Sequence, residues 1–551
     1  MNASARYARS SQRVITLAGV AAFALAVTVV LTWPQAIHPE KVADHFDPYF
    51  SVWRLGHVAH ALTRWPIALF DGNIFYPAKN TLAYSDAVLL EGVLAAPLFW
   101  ARLSPTLIYN LMLFAGFVGS GVGMFVLARH LTGAVGPSLV AATVFTALPY
   151  RIEHLMHLEL QWAMFVPLAL WAVHRTMESG RWRHGLMVGL FLWLQFLSCV
   201  YYGVFLSLTL ALFVPLLLTF KGHVPFRRFA PPLACGVLLA VVFTLPYAMP
   251  YAAAAQTLGV RPLDEITRYS ALPQSYLATS ELNRIWGWTS DIWGAPELRL
   301  FPGLIAVLLA IPAVLHPRRR LVALYVVTAL VVLQLSFGLN GRLYTLLLGH
   351  VTALQGFRAL ARFGIFVGCA LALLTGLGVQ AVLARVTWSR PGRRAFIYAA
   401  IVAMLVEYSN RSIPLSFGVA AKPAEVYQAL RVAKPGVIIE FPLPNLDNLP
   451  GWDPYFEAWS VWHWRPILNG YSGFYSTRYQ DAVRELANFP DAASVEALRR
   501  LEVRYVIIHR DFYEKGKYTP LALKLATAHG LTLWGVYKDP VGVADVFEVV
   551  P

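Results

Sequence analysis

Long apolar runs separated by short loops constrain this chain more than any other feature of its sequence. The first run covers residues 14–32, and similar runs recur up to residue 411. A helix that crosses a bilayer needs roughly 20 mostly apolar residues. Only 14% of the residues are charged, whereas soluble proteins average about 25%. The sequence therefore predicts a polytopic α-helical membrane protein.

We place about eleven transmembrane helices on these runs, following the length that a bilayer requires. They cover about residues 14–32, 107–128, 135–150, 162–174, 185–199, 201–220, 230–250, 303–316, 321–338, 363–384 and 395–411. Alternate short loops are rich in arginine, as around Arg175 and Arg319, and contain a single acid, Glu178. Basic loops stay in the cytoplasm. We therefore expect a multi-pass protein of the cell (inner or plasma) membrane with a cytoplasmic N-terminus.

This topology leaves three longer loops and the C-terminus on the outer side. The loops cover residues 33–106, 251–302 and 339–362, and all three belong to the predicted transmembrane domain, residues 1–411. Residues 412–551 contain short β-branched runs, "GVIIEFPL" and "VRYVIIH", each behind a helical stretch. This pattern predicts a small extracytoplasmic α/β domain. The final segment predicts two strands around an Asp-Pro turn.

The net charge of +15 is explained by the basic cytoplasmic loops, so we expect the lipid bilayer and no nucleic acid as a partner. No G-x-x-x-x-G-K-[ST] loop is present to bind a nucleotide. The three cysteines lie in apolar runs without metal-ligand spacing. No internal repeat is apparent along the chain.

The first outer loop concentrates charge in "DHFDPYFSVWRLGHVAH", residues 44–60. Asp47-Pro48 predicts a helix start, with the aspartate as its cap. Alternatively, a fixed carboxylate above the membrane could take a proton from an acceptor or bind a divalent cation. Both interpretations remain open, because a capping side chain also has a fixed position.

The hexapeptide "HFDPYF" at 45–50 resembles the first-loop motif of the catalytic subunit of oligosaccharyltransferase. The layout as a whole resembles the C-type superfamily of polytopic membrane glycosyltransferases. That resemblance implies transfer of a sugar from a polyprenyl-phosphate donor to an extracytoplasmic glycan, lipid or protein acceptor. It also implies that Asp47 is the catalytic acid, with Asp44 as a second candidate.

The chain departs from the oligosaccharyltransferase pattern in two places. The segment "WHWRPILNGYSGF" (462–474) lacks the WWDYG-type motif, and the second outer loop carries "RIEHLMHLELQ" (151–161) in place of an acidic pair. A peptide asparagine is therefore not the expected acceptor. The sequence is compatible either with no cofactor or with a divalent cation.

Polar residues elsewhere in the outer loops add candidates. Glu153 and His157 would share one face of a helix, beside His154, and could orient an acceptor or, with Asp47, bind a metal. The alternative is a solvated interfacial turn. Asp86 predicts a helix cap and Glu91 a buried charge, and we keep both as candidate acids.

Two outer-side arginines run against the positive-inside trend. Arg358 and Arg362 are four residues apart, so on a helix their guanidinium groups would share a face. A pair of guanidinium forks suits a phosphate group. We predict that they bind the donor phosphate, against the alternative of nonspecific headgroup contact. Tyr201 and Tyr202 are interpreted as interfacial aromatics and not as site residues.

Three functions fit these features. The first is an inverting glycosyltransferase of the cell envelope that uses a polyprenyl-phosphate sugar in glycan biosynthesis. The second is a non-catalytic assembly protein for the envelope or its glycans. The third is a transporter or flippase, which the scarcity of acids within spans disfavours, since Glu407 is the only obvious one.

Overall fold

The chain is mostly helical in a computed structural model that describes residues 3–221, 225–387 and 389–550. Side chains are described from residue 14 onward, apart from those of residues 352 and 353. The α-helices have the following bounds: Ala3–Leu31, Asp47–Ala61, Leu89–Trp100, Pro105–Thr132, Val135–Ala147, Pro149–Glu153, Leu158–Gln161, Phe165–Ser179, Trp182–Ser198, Val200–Lys221, Phe226–Leu258, Leu263–Arg268, Thr289–Trp293, Leu304–Ala310, Arg319–Ser336, Arg342–Leu348, Gly364–Arg385, Arg390–Glu407, Glu425–Val432, Asp453–Trp459, Thr477–Glu485, Ala492–Arg500 and Tyr518–Thr527.

Six of the described helices are long and apolar enough to cross a membrane. They are Val14–Leu31, Pro105–Thr132, Val200–Lys221, Phe226–Leu258, Arg319–Ser336 and Leu360–Arg385. The other five predicted spans also lie on helical segments, but these are shorter or less apolar, as at Val135–Ala147. The polytopic class is therefore confirmed, and the number of eleven spans stays a prediction.

By its internal contacts the chain divides into two units. The first unit comprises Met1–His38, Leu111–Tyr247 and Val260–Pro414, and the second comprises Pro39–Asn110, Ala248–Gly259 and Leu415–Pro551. Residues 39–110 therefore cluster with the C-terminal segment, and residues 415–551 are only part of the second unit. The predicted division into two domains at residue 411 stays a prediction.

The second unit contains all six described strands. Lys41–Ala43 pairs antiparallel with Leu415–Phe417. The other four form one sheet in the spatial order Val437–Phe441, Val503–His509, Val543–Val549 and Leu531–Lys538. The first two strands are parallel and the remaining pairings are antiparallel. The predicted strands and the final two-stranded turn are confirmed. These strands form where β-branched residues, which favour extended backbone, occupy buried positions, as in Val503–His509.

A buried histidine ties the ends of this sheet together. His509 lies 2.8 Å from Oε2 of Glu440 through Nε2 and 2.7 Å from Oδ2 of Asp539 through Nδ1. Burial alone would lower the pKa of His509, but the hydrogen bonds that its ring donates to both carboxylates outweigh burial and raise the pKa. All three side chains are at most 1% exposed, so we interpret this triad as a structural clamp.

In the first unit, Glu407 has a structural role that explains an acid at the end of an apolar helix. Its carboxylate accepts hydrogen bonds from the backbone N–H groups of Leu304 and Ile305, at 2.7 and 3.0 Å. These N–H groups begin the helix Leu304–Ala310 and have no partner within that helix. The indole of Trp286 donates a third hydrogen bond. Glu407 therefore caps a neighbouring helix.

Candidate functional site

Asp47 is the first residue of the helix Asp47–Ala61, which we call the first-loop helix. The predicted helix start is confirmed, with Pro48 in the first turn. The predicted capping role is wrong, because the N-cap residue is Phe46, which makes no side-chain capping bond. The carboxylate of Asp47 is instead directed to residues outside its own helix.

The Asp47 carboxylate is held by a tyrosine from the C-terminal segment. The hydroxyl of Tyr471 donates a hydrogen bond of 2.8 Å to Oδ1 of Asp47. On the other side, Nδ1 of His45 lies 3.2 Å from Oδ2. The side chain of Asp47 is 13% exposed. This carboxylate therefore has a fixed orientation and keeps limited access to a ligand.

A second, similar helix start lies beside the first. The heptapeptides DPYFSVW (47–53) and DPYFEAW (453–459) share five of seven residues, and both begin a helix at their aspartate. The rings of Tyr49 and Tyr455 pack with centroids 4.2 Å apart. The expectation that the chain has no internal repeat missed this short match, which is the signal that could have linked the first loop to the C-terminal segment.

The second helix adds two buried acids, Asp453 and Glu457. Asp453 accepts hydrogen bonds from Asn469, at 2.9 Å, and from the hydroxyl of Tyr479. Glu457 accepts the backbone N–H of Tyr471 at 2.8 Å. Both acids are fully buried, and burial raises the pKa of Asp453 to about 7 and that of Glu457 well above its usual value.

Tyr471 thus joins two carboxylates, through its hydroxyl to Asp47 and through its backbone to Glu457. Tyr475, four residues further along the sequence, lies near Asp453, Glu457 and Asp47. Burial raises the pKa of Tyr475 most, and the three nearby carboxylates raise it further. We call these five residues the acid–tyrosine cluster. Sequence reasoning identified only Asp47 among them.

The other predicted acids of this unit lie around the first-loop helix. Asp44 is exposed and follows the strand Lys41–Ala43. Asp86 is 5% exposed, and its backbone carbonyl accepts a hydrogen bond of 2.6 Å from the buried Arg54. Its predicted capping role is wrong, since the N-cap of the next helix is Val88. Glu91 is completely buried in the first turn of that helix, as the sequence predicted.

In the first unit, Arg358 and Arg362 do not lie on one α-helix. Arg358 precedes a 3-10 turn, Leu360–Phe363, which contains Arg362. The helical spacing argument therefore does not apply to them. Arg362 forms a two-pronged ion pair with Glu297, at 2.9 and 2.7 Å, whereas Arg358 binds Glu265 at 3.0 Å.

The two arginines differ in their charge balance. Arg362 is buried and matched by one carboxylate. Glu265 is shared, because Arg261 lies 3.3 Å from the same Oε1 that Arg358 contacts. The Arg261–Glu265–Arg358 triad therefore carries one excess positive charge, and the side chain of Arg358 is 32% exposed.

Tyr201 connects the arginines and is more than an interfacial aromatic residue. Its hydroxyl accepts the backbone N–H of Arg358 at 3.2 Å. The guanidinium of Arg362 lies 5.0 Å from the centroid of the Tyr201 ring, a cation–π distance. Tyr202 instead has its hydroxyl 3.1 Å from that of Tyr150 in the core. The prediction that Tyr201 is not a site residue therefore missed its contacts with both arginines.

Residues 149–161 form two short helices, Pro149–Glu153 and Leu158–Gln161, and not one. The predicted common face of Glu153 and His157 is therefore wrong. Glu153 pairs with Arg299 at 3.2 Å, and burial raises its pKa to about 7. His157 lies 3.9 Å from Glu297, the partner of Arg362.

His154 lies between these two short helices and is buried. Among the described residues, neither of its ring nitrogens has a hydrogen-bond partner. Burial lowers the pKa of His154 to about 3, so its imidazole is neutral at pH 7. Its ring packs 4.3 Å from that of Tyr150.

No group of three His, Cys, Asp or Glu side chains is arranged as a metal site within the described ranges. The predicted ligand set Asp47, Glu153 and His157 therefore gains no support.

No protein-family model and no curated protein matches this chain, but several solved structures are similar to it, among them the following two. The first is the archaeal oligosaccharyltransferase AglB from Archaeoglobus fulgidus in complex with an inhibitory peptide and a dolichol-phosphate. It is 13% identical, with 96% of this chain and 74% of that chain covered and a TM-score of 0.48. The second is ArnT from Cupriavidus metallidurans bound to undecaprenyl phosphate. It is 13% identical, with 98% of both chains covered and a TM-score of 0.39.

Proposed function

We propose that this protein is an inverting glycosyltransferase of the cell envelope that transfers a sugar from a polyprenyl-phosphate donor to an acceptor outside the cytoplasm. The observation that carries the proposal is the fixed carboxylate of Asp47, oriented by the hydroxyl of Tyr471 and still partly accessible. A general base needs this combination of a defined position and access to its proton donor.

In the proposed reaction, a hydroxyl oxygen of the acceptor attacks the anomeric carbon of the donor sugar. The new C–O bond forms as the bond from that carbon to the phosphate oxygen breaks, on the opposite face. Asp47 takes the proton of the acceptor hydroxyl, and the polyprenyl phosphate leaves with the electron pair. The leaving group is already stable as an anion, so orientation and charge neutralisation supply most of the rate enhancement.

We assign the donor phosphate to the Arg261–Glu265–Arg358 triad, which holds two guanidinium groups and one carboxylate. A phosphate group would complete its charge balance. Of the two arginines predicted to bind the donor phosphate, Arg362 is the weaker candidate. Its guanidinium already donates two hydrogen bonds to the carboxylate of Glu297. It would support the site through Tyr201, which contacts both arginines.

The proposal places the N-terminus in the cytoplasm and both sites on the outer side of the cell membrane. Labelling of single cysteines by a membrane-impermeant maleimide in intact cells tests this orientation. We expect Asp481→Cys, in the C-terminal segment, to react, and Arg319→Cys, in a predicted cytoplasmic loop, to react only after lysis. The opposite pattern would contradict the proposed topology.

The test of function compares the intact protein with Asp47→Asn in membranes supplied with a panel of labelled polyprenyl-phosphate sugars. Loss of a general base reduces a rate by about 10²–10⁴-fold, so the variant should consume the active donor at least about a hundredfold more slowly. The matched control is Asp481→Asn, an exposed acid of the same unit paired with Arg484.

Equal donor consumption by the intact protein and Asp47→Asn would remove this residue from the mechanism. Failure of the intact protein to consume any donor of the panel would instead favour the non-catalytic assembly protein.

A further inference from the structure

A cavity of about 540 Å³ opens at the end of the first-loop helix that is remote from Asp47. His57 and His60 line it from the last turns of this helix, and Arg64, Asp71, Lys79 and Trp464 line it from adjoining segments. The volume lies within the range of small-ligand pockets, about 300–1,000 Å³. Ten residues separate Asp47 from His57, which is about 15 Å along a helix.

The floor of this pocket is rigid because Asn73 connects several segments. Its Oδ1 accepts the indole N–H of Trp53 at 2.9 Å, and its Nδ2 donates to Ser460 Oγ and to the carbonyl of Arg465, at 3.0 and 2.9 Å. Its carbonyl accepts the N–H of Ile467. A pocket fixed in this way needs little ordering when a ligand binds.

One wall is a stacked aromatic pair. The rings of His60 and Trp464 lie 4.4 Å apart at an angle of 15°. Trp464 has a φ of +52°, a left-handed conformation that is unfavourable for a bulky residue and recurs at functional sites. The backbone of Trp464 is held there by a hydrogen bond of 2.8 Å to the carbonyl of Ser460. The C–H face of a sugar ring packs well against such a wall.

The charges of the pocket leave one cation in excess. Asp71 and Lys79 form a pair at 3.4 Å. Burial lowers the pKa of both His57 and His60 to about 4, so both rings are neutral at pH 7. Arg64 is exposed and makes no ion pair with any described residue. Its guanidinium can therefore bind a carboxylate or a phosphate.

The ring nitrogens of His60 suit the hydroxyl groups of a ligand. In the part of the chain that the structure describes, the side chain of His60 makes no hydrogen bond. A neutral imidazole offers one donor and one acceptor. A ligand that matches these walls has a ring with apolar faces, several hydroxyl groups and one negative charge.

We propose that this pocket binds an anionic sugar unit, with the charged group on Arg64, hydroxyl groups at His60 and the ring against the His60–Trp464 wall. This inference concerns binding alone, and it stands whether or not Asp47 is catalytic.

The experiment uses the full-length protein in lipid nanodiscs without any donor, and ligand-observed NMR titrations to obtain Kd. The probes are glucuronate and glucose 6-phosphate, with glucose as the neutral sugar and inorganic phosphate as the bare anion. We expect saturable binding of at least one anionic sugar. Glucose should bind at least about fivefold more weakly than that sugar, because it lacks an exposed ion pair worth about 1 kcal/mol.

Arg64→Gln should weaken binding of the anionic sugar about fivefold and leave glucose unaffected. His60→Gln should weaken both sugars, since it removes the ring from the wall. Arg431→Gln, which changes an exposed arginine of the same unit, is the matched control and should change neither.

Three results would overturn the proposal: no saturable binding of either anionic sugar, equal affinity for glucose and the anionic sugars, or an unchanged Kd in Arg64→Gln. Competition by inorganic phosphate at equal affinity would also contradict it, because it would indicate a simple anion site.

Discussion

The hydroxyl of Tyr471 donates a hydrogen bond of 2.8 Å to the carboxylate of Asp47, across 424 positions of the sequence. The same residue donates its backbone N–H to the buried Glu457. One tyrosine from the C-terminal segment therefore sets the position of the acid that we propose as the general base.

Tyr471→Phe should reduce the rate of sugar transfer by about ten- to a hundredfold. A hydrogen bond to a charged group contributes about 1.5–3 kcal/mol, and its loss removes one of the contacts that orient Asp47. The rate is measured with saturating donor in membranes. Tyr537→Phe, a change on the strand Leu531–Lys538, is the control. A Tyr471→Phe enzyme with an unchanged rate would mean that Asp47 needs no support from this hydroxyl.

The raised pKa of Asp453 predicts that this residue makes a pH-dependent contribution to the stability of the protein. Burial raises its folded-state pKa to about 7, whereas the unfolded value is about 3.9. The neutral acid is thus favoured in the folded protein. Its contribution is fully present below about pH 4 and is lost as the pH rises through about 7.

Asp453→Asn, which is neutral at every pH, should remove this contribution. The melting temperature of the intact protein relative to that of the variant should therefore fall between pH 5.5 and 7.5, as measured in detergent. Asp481→Asn, at an exposed site, should follow the intact protein. A constant difference across this range would contradict the raised pKa.

The charge excess of the Arg261–Glu265–Arg358 triad predicts an effect on donor binding. Arg358→Gln should raise KM for the polyprenyl-phosphate sugar about tenfold with a smaller change in kcat, because one charge-assisted phosphate contact is lost. Arg342→Gln changes an exposed arginine nearby in sequence and should leave KM unchanged. If Arg358→Gln binds donor normally, the phosphate is bound elsewhere.

The capping hydrogen bonds of Glu407 predict that its substitution lowers the stability of the protein. Glu407→Gln removes a charged acceptor from the N-terminus of the helix Leu304–Ala310 and should destabilise the protein by about 1–3 kcal/mol. The drop in melting temperature measures this loss. Glu281→Gln, at an exposed acid, should have an effect within about 0.5 kcal/mol. An unchanged melting temperature for Glu407→Gln would argue against the capping role.

The predictions that rested on continuous local patterns are the ones that the structure confirms. Apolar runs give the helices, as at Pro105–Thr132, and short runs of β-branched residues give strands such as Val503–His509. The Asp-Pro pair at 47–48 begins a helix as expected. Each of these features depends on interactions between residues close together in sequence, which a single sequence displays directly.

Two of the predictions that failed assumed an uninterrupted helix where the chain bends. Glu153 and His157 are separated by a helix break, and Arg358 lies before a 3-10 turn. The spacing i, i+4 brings side chains together only on an uninterrupted helix. A break in a helix reorients every side chain beyond it. No local residue pattern predicted either of these two breaks.

By itself, the sequence determined that this is a helical membrane protein with a carboxylate at a helix start and a small β-sheet near its C-terminus. Only the tertiary structure decided that Tyr471 orients that carboxylate, that Glu457 and Asp453 are buried beside it, and that Glu297 rather than a ligand matches Arg362. The physical reason is that these contacts join residues far apart in sequence, whose approach depends on how whole helices and strands pack.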